Sequence, residues 1–450
     1  MSAHALGCFR SSGLRKSVPL KMTVTNQLKI AIDAGVTPAS AGGVAQVMLG
    51  LIHALGQLDD GPEEYLLVTQ WPDEADYFKP YAGANQQFVT KPQRTIAQRA
   101  QGRLTHLAAR FSERRQRTSC RPAIHLSDGF YESLDCEVVH FPHQRFILCG
   151  LPSIYNPHDL QHVHFPQFFT AQELAARDTL YQAGCHFSQT IAVSSQWVKD
   201  DIIRSYRLAP DKIQIIPWGP PTQNYPVPSA EQTEAVREKH KLEQPFALYP
   251  AMTWPHKNHL RLLEALARLR DERGLRLRLV CTGSRLAPFW STIERRIGEL
   301  NLWPQVQFLG FVSELELRAI YRLAQFLVMP TLFESDSSPI YEAWLEGLPV
   351  TCSNVTSLPA QVLDAARLFD PYEVGAIAEA LAELATQGAL RDNLQARGFR
   401  RVKDYNWERT AKAYRALYRR AARRTLSEED RWLLSWDWMQ EPERAVEAGS

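Results

Sequence analysis

Short apolar runs alternate with longer amphipathic stretches along most of this 450-residue chain. Strand, helix and strand in succession require a crossover connection, and crossovers build parallel sheets covered by helices on both faces. A first series places strands at 28–32, 65–70, 137–141, 153–156, 190–194 and 214–217, with helices at 44–58, 170–187 and 195–206. Residues 219–244 then bring Pro220, Pro221, Pro226 and Pro228 ahead of a polar charged stretch, which reads as an interdomain linker with room for a short helix. A second series sets strands at 246–250, 277–282, 306–309, 326–329 and 350–353. Its helices fall at 259–273, 287–300, 314–324, 339–347, 374–386 and 391–402. The expected class is therefore α/β, with two Rossmann-like β/α/β domains at 28–218 and 245–406. A long helix at 407–424 and a tail bearing Trp432, Trp436 and Trp438 close the chain.

This length suits two or three domains, and 45% apolar with 22% charged residues is the balance of a globular protein. A net charge of +2 singles out no class of partner, and with no run of 18 or more apolar residues no membrane span is expected. Residues 1–27 carry Arg10, Arg15, Lys16 and Lys21 without a sustained apolar core. They read as a disordered leader, or as an upstream start ahead of Met22, and not as a secretory signal. The seven cysteines are scattered with no C-x-x-C, as expected of reduced thiols in the cytoplasm.

The chemistry-bearing residues follow strands. After 326–329 comes Phe333-Glu334-Ser335-Asp336-Ser337-Ser338-Pro339-Ile340-Tyr341-Glu342-Ala343. Glu334 falls in the loop and Glu342 one turn into a helix that Pro339 opens and Gly347 closes. After 246–250 comes Thr253-Trp254-Pro255-His256-Lys257-Asn258, where a lysine at a helix N-terminus opposes the helix dipole unless it meets an anion. After the first strand, Gly42-Gly43 opens a helix in the manner of a phosphate- or sugar-cradling loop, although glycines there also serve close packing. After 153–156 comes His158-Asp159-Leu160-Gln161-His162-Val163-His164. Its H-x3-H-x-H spacing lies outside the standard zinc patterns, so metal binding ranks behind a substrate contact.

The spacing of Glu334 and Glu342, with Pro339 and Ala343, resembles the E-x7-E signature of retaining glycosyltransferases of the GT-B fold, especially glycosyltransferase family four. That family writes the stretch Glu-Gly-Phe-Gly-Leu-Pro-x-x-Glu-Ala, so Ser335 and Ser337 stand where it has glycines that free the backbone. The likeness runs over about 29–419 and is dense from 192 to 409, including 192–202, 212–219, Thr282-Gly283 and 309–312. It implies two domains facing across a cleft, the first on the acceptor side and the second binding the nucleotide-sugar. It also implies that 407–450 packs back on the first domain. By the same resemblance Lys257 holds the leaving diphosphate, with His256 and Asn258 beside it. The family's extra arginine positions are Ala251 and His256, so the second cation is absent or is supplied by His256. Glu334 holds sugar hydroxyls, the backbone of Ser335, Asp336, Ser337 and Ser338 caps the sugar, and Glu342 takes the ribose hydroxyls. His158 and Gly42-Gly43 close the cleft from the first domain. The chain lacks Asp-x-Asp, and the family uses neither metal nor other cofactor. The His-Asp-Leu and His-Lys-Asn wording suggests mannose, carried on GDP or UDP.

Residues 91–121 hold nine basic residues (Lys91, Arg94, Arg99, Arg103, Arg110, Arg114, Arg115, Arg117, Arg121) against Glu113. Ile96, Leu104, Leu107, Ala108 and Phe111 fall on one helical face. Such a helix suits peripheral contact with an anionic membrane and a glycan or lipid-linked acceptor, or is simply a solvated surface helix. Nucleic acid is not expected, because aromatic stacking platforms are absent nearby. The expected activity is sugar transfer in the cytoplasm or on the inner membrane face. The rivals are a catalytically silent subunit that binds a sugar or a partner, and a nucleotide-sugar epimerase.

Overall fold

The computed structural model describes residues 27–36, 42–92, 124–287 and 289–437, and its two sheets are parallel throughout. The first holds β1 (Leu28–Asp33), β2 (Glu63–Thr69), β3 (Gln86–Thr90), β4 (Val138–Phe141), β5 (Ser153–Tyr155), β6 (Thr190–Val193) and β7 (Ile213–Ile215). Their order is β3-β2-β1-β4-β5-β6-β7. The second holds β8 (Phe246–Pro250), β9 (Arg278–Thr282), β10 (Val306–Gly310), β11 (Phe326–Met329), β12 (Val350–Ser353) and β13 (Arg367–Phe369), in the order β10-β9-β8-β11-β12-β13. Strand order thus reverses between β1 and β4 in one domain and between β8 and β11 in the other. At such a switch point the loops leaving the strand ends diverge and open a crevice.

Central strands are apolar because helices cover both their faces. Leu248, Val280, Leu327 and Val328 are buried completely. β3 and β13 were not anticipated. β3 is an edge strand of mixed exposure reading Gln-Gln-Phe-Val-Thr, and β13 is three residues long, so neither makes an apolar run. The 219–244 stretch carries a helix, Ala230–His240, started by a capping box between Ser229 and Gln232. Its Val236 joins the core of the second domain, and Lys239 pairs with Glu316 at 2.5 Å. The basic stretch 91–121 lies outside the described residues except for Lys91 and Pro92, and Lys91 pairs with Asp128 at 3.3 Å. The expected leader, apart from Gln27, also lies outside them, as does Trp438.

The helix Trp407–Ala421 crosses back to the first domain and completes its core with Trp407, Tyr414, Leu417 and Tyr418. Buried polar groups fix its register. Thr410 Oγ1 donates to the Pro217 carbonyl at 2.8 Å, and Asn156 Nδ2 donates to the Tyr414 hydroxyl at 2.6 Å. His140 links Tyr418 Oη and Asn156 Oδ1, both at 2.8 Å. Helix Glu428–Ser435 packs beside it, and Arg409 lies 4.4 Å from the ring centre of Trp436.

Trp407 rests on Gly50 of helix Gly43–Gly56, where a β-carbon would overlap the indole ring. Gly50→Ala should therefore destabilise the protein by about 1–3 kcal/mol through overpacking, although alanine gains about 1 kcal/mol in helix propensity. Urea denaturation checks the sign; a stabilised variant would mean that Trp407 repacks freely.

Candidate active site

Both switch points face one cleft of about 920 Å3 between the domains. From the first domain it is lined by the Gly42–Gly43 turn and by His143, Arg145 and Asp159. From the second it is lined by Trp254, His256, Lys257 and the 333–342 stretch. β8 delivers the lysine loop and β11, its neighbour, delivers the glutamate loop, so Lys257 Nζ and Glu334 Oε1 meet at 2.5 Å. Glu334 is held at its backbone. Its N–H donates to Thr356 Oγ1 at 3.1 Å, and its carbonyl accepts from the Thr356 and Ser357 hydroxyls at 2.6 and 2.9 Å.

The two serines in place of the family's glycines impose no strain. Neither Ser335 nor Ser337 is among the residues with positive φ. The loop is also tied to the first domain. The Ser335 carbonyl accepts from the hydroxyls of Ser194 and Ser195 at 3.3 and 3.0 Å, and Phe333 sits among His164, Phe165 and Trp197 with ring centres 5.5–5.9 Å apart.

Helix Ser338–Leu345 carries Glu342, whose Oε2 accepts from the Tyr321 hydroxyl at 2.6 Å. Burial pushes the Glu342 carboxyl up to about 7, with the Tyr321 bond pulling the other way. Burial likewise pushes Asp336 up to about 8. Gly42 has φ +52° and caps helix Gly43–Gly56 without any side-chain bond, so the first-turn amides open toward the cleft. A β-carbon on Gly42 would stand 3.1 Å from Met252 Sδ across the cleft.

Some expected site residues are turned elsewhere. Asn258 is buried in a left-handed conformation, and its Nδ2 donates to the carbonyls of Pro330 and Pro371, both at 2.9 Å. Ser337 is buried against Gln361. Both residues hold the loops in shape from beneath. His158 is also buried, with Nε2 donating to the Pro142 carbonyl at 2.9 Å, and burial lowers its pKa to about 4. Burial and the adjacent Lys257 hold His256 far below the usual histidine range, which disfavours the charged form that a second cation requires. The other cations lining the cleft are Arg145 and Arg177 of the first domain. The three histidines of H-x3-H-x-H diverge. His162 packs on Tyr181, His164 Nε2 lies 2.9 Å from both Asp201 oxygens, and no described group of three or more His, Cys, Asp or Glu is placed to hold a metal.

Sequence reasoning missed the cluster at the end of β1. Asp33 is buried under Arg145, whose Nε and Nη2 reach its two oxygens at 3.2 and 2.5 Å. Tyr131 Oη donates to it at 3.0 Å, the Gly35 N–H at 3.1 Å, and His143 Nε2 stands 3.4 Å away. These residues lie up to 112 positions apart and make no local motif.

Two parallel domains with a cation, two carboxylates and a helix N-terminus converging on one cleft define a GT-B glycosyltransferase. Residues 41–224 match Glycosyltransferase Family 4 and residues 231–401 match Glycosyl transferases group 1. The chain belongs to glycosyltransferase family four. It is 30% identical over 283 residues to an O-antigen chain mannosyltransferase B of Escherichia coli, covering 59% of this chain and 73% of that one. It is 30% identical over 228 residues to an MMP alpha-(1->4)-mannosyltransferase of Mycolicibacterium hassiacum, covering 50% and 52%. Among solved structures, a sucrose-phosphate synthase from Thermosynechococcus elongatus aligns at TM-score 0.64 with 20% identity, covering 88% of this chain and 99% of that one. Anabaena HepE in complex with UDP and glucose aligns at 0.63 with 15% identity, covering 87% and 99%. These two share the fold.

Burial lowers the pKa of His140 and His259 to about 3 and of His158 and His162 to about 4, and it depresses His256 as well. Unfolding frees each to bind a proton that the native state refuses, so stability is full above 6.5 and falls as pH drops toward 4. The loss is about 1.4 kcal/mol per pH unit per histidine. Asp336 and Glu342 run the other way, since below their raised values the native state holds the extra protons. Five histidines outweigh two carboxylates, so thermal unfolding should occur at a lower temperature at pH 5 than at pH 7. A higher unfolding temperature at pH 5 would contradict the burial of these rings.

Proposed function

We propose that this chain is a retaining, metal-independent mannosyltransferase that moves mannose from GDP-mannose to a hydroxyl of a glycan or lipid-linked acceptor. The observation that carries the reading is the meeting of Lys257 and Glu334 in the interdomain cleft, with Glu342 on the same wall and the Gly42–Gly43 amides opposite. The mannosyltransferase names of the two relatives support the choice of sugar. The basic 91–121 stretch supports peripheral contact with an anionic membrane, where a lipid-linked acceptor would be reached.

In this reading the diphosphate draws Lys257 away from Glu334, and the freed carboxylate takes hydroxyls of the mannose. The bond from the anomeric carbon to the phosphate oxygen breaks, and the acceptor oxygen bonds to the same face. The acceptor proton passes to the leaving phosphate. Lys257 and the open amides of helix Gly43–Gly56 stabilise charge growing on that phosphate, the work a metal does elsewhere. Tyr321 holds one oxygen of Glu342, leaving the other for ribose hydroxyls.

Calorimetry should find GDP bound in EDTA more tightly than UDP or ADP. Lys257→Ala should slow GDP-mannose turnover by roughly 10^2 or more, as loss of one oxyanion-stabilising donor does. Binding of GDP without turnover of any sugar donor would point to the silent subunit instead.

An ionised carboxylate accepts from ribose hydroxyls more strongly than a neutral carboxyl does, and burial pushes Glu342 up to about 7. Affinity for guanosine, which carries no phosphate to titrate, should therefore rise from pH 6 to pH 8 in wild type. Glu342→Gln should bind more weakly with a flat profile. An equally steep profile in the variant would remove Glu342 from this role.

A further inference from the structure

We propose that Arg145, aimed by Asp33, is the group that selects the acceptor, and that it selects an uncharged sugar through a vicinal pair of hydroxyls. This deepens the function proposed above and rests on it, because it takes the second domain to hold the donor.

Arg145 leaves the loop after β4 and Asp33 ends β1, so the pair stands at the switch point of the first domain, across the cleft from Lys257. Asp33 takes the Nε–Nη2 edge of the guanidinium at both oxygens. Tyr131 and Gly35 hold the same carboxylate, and the Arg145 N–H donates to His143 Nδ1 at 3.2 Å, which turns His143 Nε2 toward Asp33. The carboxylate is 1% exposed and the arginine side chain 26%. A planar guanidinium gripped along one edge keeps a fixed orientation. Its remaining nitrogen, Nη1, has no hydrogen-bond partner among the described residues, and Arg145 lines the cleft. Of the five N–H groups three are left, two on Nη1 and one on Nη2, and they lie in one plane along the opposite edge, able to meet adjacent hydroxyls of a pyranose.

Charge argues for a neutral ligand. Burial opposes ionisation of Asp33, but the charge of Arg145 and the bonds from His143 and Arg145 outweigh it and hold the carboxyl well below the usual range. The pair is thus ionised on both sides and sums to zero. A phosphate or carboxylate acceptor would have to compete with Asp33 for the guanidinium, whereas neutral hydroxyls take only the donors left over.

Gly35 provides an independent handle. A β-carbon there would overlap Arg145 Nη2, the far end of a flexible side chain, so Gly35→Ala can be accommodated by pushing the guanidinium aside. The same β-carbon would stand 3.2 Å from Asp33 Oδ1, so the carboxylate has to give by a few tenths of an ångström.

The test compares wild type, Arg145→Ala and Gly35→Ala by saturation-transfer NMR with methyl α-mannoside, methyl α-glucoside and methyl α-galactoside, and with mannose 6-phosphate as the anionic counterpart. Wild type should bind at least one neutral glycoside, and more tightly than mannose 6-phosphate. Both variants should bind it roughly tenfold or more weakly, the effect of losing a charge-assisted bond. Gly35→Ala leaves Asp33 buried without its guanidinium and should lower the unfolding temperature, but it should keep the wild-type GDP affinity, which a general loss of structure would not allow. Unchanged glycoside binding in Arg145→Ala, preference for the phosphorylated sugar, or failure of wild type to bind any of the three overturns the proposal. GDP calorimetry on the same samples reports the donor site separately, so loss of the donor reading shows up apart from loss of this one.

Discussion

Parallel pairing on either side of two switch points governs this molecule. Strands added outward from β1 and β4, and from β8 and β11, send successive loops in opposite directions, and a crevice opens where they part. The chain does not gather its functional residues by sequence proximity. Lys257 and Glu334 are 77 residues apart and meet because the strands that precede them are hydrogen-bonded neighbours. The same holds across the cleft, where Asp33 and Arg145 leave the paired strands β1 and β4. The domains need only present these two ends to each other for a cation, carboxylates and helix amides to share one space.

Two of the three lysine and arginine side chains that line the cleft among the described residues stand against carboxylates. Lys257 is paired with Glu334, and Arg145 with Asp33. Burial keeps Asp336 and Glu342 close to neutral near pH 7. A diphosphate favours positive charge around it, but an unpaired cation in a half-buried cleft carries a desolvation cost throughout the unliganded state. Holding Lys257 against Glu334 avoids that cost, and in the proposed reaction the diphosphate takes the place of Glu334 when it enters, while Arg145 stays with Asp33.

The sequence made the alternation, both domains and the loops after β8 and β11 legible, because short apolar runs and glycine-proline punctuation act over a few residues. β3 stayed hidden because an edge strand needs only one paired side and few apolar residues. Asn258 and Ser337 looked like ligand contacts because they sit inside the recognisable loops, yet the Asn258 side chain and the Ser337 backbone N–H both bond within the protein. The Asp33 cluster was illegible for the opposite reason. Its members look unremarkable one by one, and only the packing of β1 beside β4 makes them a unit. The serines at 335 and 337 show the limit of motif wording, since the loop's actual dihedrals never required a glycine.

The return helix Trp407–Ala421 makes the second domain an insertion within the first. Its two connections run side by side. The Trp407 indole donates to the Pro220 carbonyl at 3.0 Å, and a β-carbon on Gly219 would stand 2.7 Å from the Trp407 backbone nitrogen. During synthesis the earlier-made domain therefore cannot finish first. Its core waits for Trp407, Tyr414, Leu417, Tyr418 and Leu433, while the later domain has all its strands once β13 has emerged. Order of translation and order of completion are reversed, and until the last helices arrive the ribosome-bound chain exposes the apolar face of Gly43–Gly56 that Trp407 will cover.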